Sequence, residues 1–182
     1  MMADIVWVGL SAKFSRNGKI LPPLDESTPS GKLLSEVESF FPYLTFLRTN
    51  LVDFPPTDQE GKLRYPTLQE CNESLPNLLD ELEAIQPKIV FLLGKIVTKC
   101  FLKSEILDTQ QSHFNVCINK PVKYIALQHP SYIQIYKRNK KAEYVEQIMS
   151  MISDELEPSE LEALAFSRSS SVKTKSCTEV LL

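Results

Sequence analysis

The chain lacks a Cys-x-x-Cys pair. Its four cysteines, Cys71, Cys100, Cys117 and Cys177, are widely separated. That argues against a zinc or iron–sulfur site and for reduced, mostly buried thiols, so no metal or other cofactor is expected. No apolar run approaches the roughly 18 residues needed to cross a bilayer. The start, MMADIVWVGL, has neither a basic n-region nor a small-residue cleavage site. A cytoplasmic protein without membrane contact is expected. An excess of positive charge is missing too: 20 Lys and Arg against 23 Asp and Glu give a net charge of −3. A nucleic acid would therefore have to be held by a local patch. There is no internal repeat.

What is present suits a soluble globular domain. The 182 residues are 43% hydrophobic and 24% charged, ordinary values for a chain with one full core. Four apolar runs are bounded by turn residues: DIVWVGL (4–10), YLTFLRTNLV (43–52), KIVFLLG (88–94) and KYIALQ (123–128). The near-continuous hydrophobicity of the first, third and fourth predicts strands covered on both faces, as in parallel sheets.

Helical patterns lie between them. SGKLLSEVESFF offers Ser30 as an N-cap. TLQECNESLPNLLDELEAI opens with Thr67 and has Glu70 three residues on, a capping-box pattern. Pro76 inside it predicts a kink or a late restart. GKIVTKCFLKSEIL follows the third strand, and AEYVEQIMSMISDEL carries Tyr144, Val145, Ile148, Ile152 and Leu156 on one stripe. Alternating strands and helices predict a three-layer α/β/α domain around a central four-stranded parallel sheet, spanning residues 1–157. Residues 158–182 read as a tail, a short helix followed by a Ser-rich, unpatterned and disordered end.

In an open parallel sheet, ligands bind beyond the carboxyl ends of the strands. The residues at those ends are Gly9, Leu10, Ser11, Ala12 and Lys13 after the first strand, Asn50 and then a Pro-containing loop at the second, Gly94 after the third, and His129-Pro130-Ser131 after the fourth. Asn50 can donate and accept, so it can read a base edge, or else tie down its own loop. A histidine at a strand end can stabilise a developing oxyanion, or simply form a turn before proline. Backbone amides near Gly9 and the helix start at Ser30-Gly31 suit phosphate oxygens. The basic run 137–141 suits a DNA backbone and equally a solvated helix start.

With these residues placed, the stretches VGLSAK, SGKLL, TNLVDFPP, YPTLQE, PKIVFLLGK and LQHPSYI, in this order, resemble the uracil-DNA glycosylase superfamily over residues 4–152. The branch carrying four-cysteine clusters is nearest. The resemblance implies base excision from DNA, with the damaged nucleotide turned out of the stack into a pocket. Asn50 matches the residue that reads the uracil edge, and His129 the donor to the departing base. Gly9, Leu10, Ser11 and Ala12 match the water-activating loop, and Ser131 the loop that grips phosphate. Lys13, Ser30 and Lys137 fall where further phosphate contacts are expected.

Two departures stand out. Leu10 and Ser11 occupy the positions of the usual acid or amide, so Ser11 with Asp25 or Glu26 is expected to position water. The aromatic that stacks on the base is absent from LDESTP, leaving Phe14 or Phe54 for that role. The cluster cysteines are missing as well, Ser74 standing where one is expected. The expected protein is a monomeric, metal- and cluster-free glycosylase acting on uracil or another deaminated base in DNA. A non-catalytic DNA- or nucleotide-binding module on the same fold, or an enzyme acting on a free nucleoside or nucleotide, are the alternatives.

Overall fold

A computed structural model gives the fold and describes residues 2–103, 114–118 and 120–156. The expected tail at 158–182, His113 and the last residues of the expected third helix, 104–107, lie outside the described residues. In chain order the elements are β1 (Ile5–Ser11), α1 (Pro29–Ser39), β2 (Phe46–Val52), α2 (Leu68–Ile85), β3 (Ile89–Leu93), α3 (Lys95–Lys103), β4 (Phe114–Ile118), β5 (Lys120–Leu127), α4 (Pro130–Tyr136), a 3-10 turn (Arg138–Lys140) and α5 (Lys141–Glu155).

The sheet order is β2-β1-β3-β5-β4. The four strands expected from the sequence are parallel to one another. A fifth, β4, pairs antiparallel with β5 at the edge. Its five residues, FNVCI, are too few to establish a strand period.

Burial explains the continuous apolar runs. Along β1, Val6 and Val8 join a core with residues of α2 and α3, while Ile5 and Trp7 join a second core with residues of α1, α4 and α5. In β3, Val90 and Leu92 face the first core, and Ile89, Phe91 and Leu93 the second. Both sheet faces are covered, which is why these strands read as solid rather than alternating. Trp7 is stacked on Phe91 with centroids 4.5 Å apart.

Helix ends follow local chemistry. The capping box at Thr67 and Glu70 forms as expected. The cap of α1 is Thr28 rather than Ser30: its hydroxyl accepts the Gly31 N–H at 3.1 Å. Pro29 at the first helical position favours that start, because its fixed φ is helical and its missing N–H has no helical partner there. Ser30 is instead buried inside the first turn. Pro76 does not restart α2, which runs on through Ile85. The proline is exposed, as is Asn72 one turn earlier, so the carbonyl it leaves without a partner can reach water. Because β1, β2, β3 and β5 run in one direction, their carboxyl ends lie along one edge, and every candidate site residue follows or closes one of them.

Candidate active site

A cavity of about 560 Å³ opens at that edge. Its floor comes from β1 and β2. Gly9 and Asn50 are register partners on the adjacent strands, and the Asn50 side chain leans across the glycine. A Cβ on Gly9 would stand 2.5 Å from Asn50 Oδ1 and 3.2 Å from Leu24 Cδ2. Gly9 therefore lines nothing itself; its missing side chain is the space the amide occupies. Asn50 is only 8% exposed, yet its side-chain amide has no hydrogen-bond partner among the described residues. Buried amides are normally satisfied, and this one faces the cavity instead. It also borders a smaller cavity of about 270 Å³, shared with Thr49, Asp53 and Glu81.

One wall is the junction of β5 and α4. His129 is the N-cap of α4, and its Nδ1 accepts the Ser131 N–H at 3.3 Å. The Ser131 hydroxyl lies 2.8 Å from the same nitrogen. With Nδ1 committed as an acceptor, the ring proton sits on Nε2. Burial, and then the charge of Lys13, push the His129 pKa down to about 4, so the imidazole is neutral at neutral pH. Pro130 supplies the first helical residue. The Tyr144 hydroxyl of α5 donates to the Gln128 carbonyl at 2.6 Å and braces the turn from behind. Gly94, with φ +97°, makes room beside the ring: a Cβ there would lie 3.4 Å from that of His129, in a backbone conformation costly for other residues.

The opposite wall is loop 21–28. Leu24 lines the cavity with φ +50°, a left-handed conformation that is strained for a bulky side chain. Arg48 holds it there. Its Nη1 donates to the Leu24 carbonyl at 2.9 Å, while Nη2 pairs with Glu38 at 2.7 Å. Glu38 also accepts the Trp7 indole N–H at 3.0 Å, so the clamp is anchored in the core. Gly31 is needed beneath, since a Cβ there would come within 2.0 Å of the Asp25 carbonyl. Asp25 is the one carboxylate among the described residues lining the cavity. Its Oδ1 accepts both the N–H of Ser27, at 2.8 Å, and the Ser27 hydroxyl. The hydroxyl first, then the N–H, hold its carboxyl below the usual range, so it is ionised but partly engaged.

The cavity thus brings together Leu10, Ser11, Lys13, Asp25, Ser30, Asn50, His129 and Ser131. Phe54 and Phe14 are not among its lining residues, so neither is placed to stack on a bound base. Lys137 lies outside the lining as well, with its ammonium 5.6 Å from the centre of the Tyr132 ring. The sequence reading missed Leu24, Tyr65, Ile96 and Tyr132 in the lining. The tyrosines had a signal in LRYP and HPSYIQIY, aromatics beside turn prolines; the left-handed Leu24 had none.

A parallel sheet whose strand ends gather an amide, an imidazole and glycine turns around one cavity defines a ligand-binding α/β domain. The family model of the Uracil DNA glycosylase superfamily matches residues 7–152, and the chain belongs to that superfamily. Members are in general DNA glycosylases, hydrolases that act on DNA, and a glycosylase-like function in general follows for this chain. No curated protein shows significant sequence similarity to it.

The cysteines whose side chains are described do not fit the four-cysteine cluster carried by one branch of the superfamily. Cys71 and Cys100 are not joined in a disulfide, and both are buried. Burial, and then the neighbouring Cys100, push the Cys71 thiol up to about 12, so it keeps its proton rather than offering a thiolate. Among the described residues no group of three or more His, Cys, Asp or Glu side chains is placed to hold a metal, and no helix is long and apolar enough to cross a membrane.

Proposed function

We propose that the protein is a monomeric glycosylase that hydrolyses the N-glycosidic bond of uracil or another deaminated base in DNA. The observation that carries this reading is the buried Asn50 amide, without a hydrogen-bond partner among the described residues, beside a neutral His129 whose donor hydrogen is fixed on Nε2. Asn50 satisfies the amide-like edge of an extruded base. As the bond between the sugar C1′ and the base nitrogen breaks, the electron pair goes to the base, and negative charge gathers on its carbonyl oxygen. A neutral imidazole donates to that oxygen without having to lose a proton. One well-placed donor of this kind is worth roughly 3–4 kcal/mol. Leu24 offers an apolar side chain beside the base.

Water adds at C1′ from the side of Ser11 and Asp25, and its proton passes to the free Asp25 oxygen or to solvent. Lys13 and Ser131 suit the flanking phosphates. The test is release of uracil from defined oligonucleotides. Wild type should turn over, and His129→Ala and Asn50→Ala should each lose roughly a hundredfold or more. Turnover that neither substitution reduces would remove the site assignment. Asn50→Ala should leave thermal stability nearly unchanged, because no protein group loses a partner.

One observation favours a second reading, a DNA-binding module without catalysis: the carboxylate nearest the water side is partly engaged by Ser27. That module would bind DNA with salt dependence and release no base.

A further inference from the structure

We infer that the mouth of the cavity is a stacking shelf for unpaired nucleotides, so that the strand it takes is single-stranded DNA. This rests on the reading of the cavity as a DNA site. The large aromatics of the core are hidden: Trp7, Phe91, Phe101 and Tyr124 are fully buried. Three tyrosines at the cavity are not. Tyr65 is 76% exposed, Tyr136 73% and Tyr132 43%, and all three line the opening. Tyr132 and Tyr136 are one helical turn apart, with ring centroids 5.5 Å apart and planes tilted by 41°. The rings therefore form a stepped surface rather than a closed pair.

Charge favours a polyanion at this shelf. Lys13 and Lys95 line the cavity with no ion-pair partner among the described residues, and Asp25 is the one acid lining it. Lys137, Arg138 and Lys140 follow directly on Tyr136. This positive edge stands on a chain whose net charge is −3, so it is local rather than a property of the whole surface. Arg64 is not part of it. Both its terminal nitrogens pair with Glu70 at 2.7 Å, and Nη1 also donates to the Tyr65 carbonyl at 3.0 Å. That arginine fixes the backbone carrying Tyr65, so the ring is presented from a held loop.

Exposed tyrosines select the unpaired strand for a geometric reason. In a duplex each base is covered on both faces by its neighbours, and a protein ring can stack only on a base already freed. In a single strand every base offers a face, and stacking of this kind is worth roughly tenfold in affinity per base. The phosphates running beside the bases meet the lysines.

The test uses strands that contain no uracil, so that it reads binding alone. Fluorescence anisotropy would compare a short labelled oligothymidylate with a blunt duplex of equal length, at low and moderate salt. We expect the single strand to bind roughly tenfold tighter or better. The double variant Tyr132→Ala/Tyr136→Ala should lose most of that preference while leaving duplex affinity unchanged. Tyr132→Phe/Tyr136→Phe, which keeps the rings, should retain it, and unchanged thermal melting of the alanine variant would show that the loss is not unfolding. Equal affinity for duplex and single strand, or an alanine variant that binds the single strand like wild type, would overturn the inference. Selective binding here, together with no base release in the uracil-oligonucleotide assay above, would uphold it while removing the glycosylase reading.

Discussion

On one side of the cavity His129 stands at a strand–helix junction, its Nδ1 held by Ser131, its turn braced by Tyr144 and its proton placed on Nε2. On the other, loop 21–28 is held from outside, by Arg48 on the Leu24 carbonyl, and its carboxylate is shared with Ser27. The first wall is held rigid by its own hydrogen bonds. The second is a shaped apolar surface with little committed to water. The difference teaches where the proposed reaction would draw its help: a leaving group would meet groups that need no rearrangement, and attack by water would rest on Ser11 and Asp25.

The comparison can be broken wall by wall. The largest effect is expected from Arg48→Met, which takes one partner from a mostly buried ion pair and frees the Leu24 carbonyl. A loss of about 3–5 kcal/mol in urea unfolding is expected, with the loop wall disordered. A change below about 1 kcal/mol would show that the loop holds its strained shape without the clamp.

Gly9→Ala acts on the floor the two walls share. Its Cβ would meet Asn50 Oδ1 at 2.5 Å, forcing the amide aside at a cost of about 1–3 kcal/mol. Base release should fall far more than stability does, and a fully active Gly9→Ala would place base reading elsewhere.

The smallest effect concerns the histidine wall. His129 has a folded pKa of about 4, below the ordinary 6.5, so between these values the unfolded chain binds more protons. Its contribution to stability is therefore fully present above about pH 6.5 and is lost as pH falls toward about 4, by about 1–2 kcal/mol for a ring partly open to solvent. The difference between wild type and His129→Asn in urea midpoints across that range reads it directly. A difference that does not vary with pH would mean that the ring is not held neutral.

Much of this architecture was legible in the sequence. Solid apolar runs announced β1, β3 and β5, and the rule that ligands sit at the carboxyl ends of parallel strands singled out Asn50 and His129 before any side chain was placed. The Thr67 cap was readable because hydroxyl and glutamate stand at the right spacing. The α1 cap was harder, with Thr28 and Ser30 flanking Pro29, and the proline decides it only once the helix start is known. Other features depend on tertiary contacts that no local pattern encodes. Leu24 adopts a left-handed backbone because Arg48 reaches it from a strand 24 residues on. β4, five residues long, is too short to announce itself. Phe14 and Phe54 were the aromatics left for stacking, but neither lines the cavity, and the exposed rings there come from two other segments.

The central claim is that catalysis resides on the His129 wall. Single-turnover release of uracil from a single-stranded oligonucleotide, compared for wild type, His129→Ala and Asp25→Asn, tests it most directly. The account predicts a loss of at least about a hundredfold for His129→Ala and less than about tenfold for Asp25→Asn. The reverse order, with Asp25→Asn inactive and His129→Ala nearly unimpaired, would contradict it.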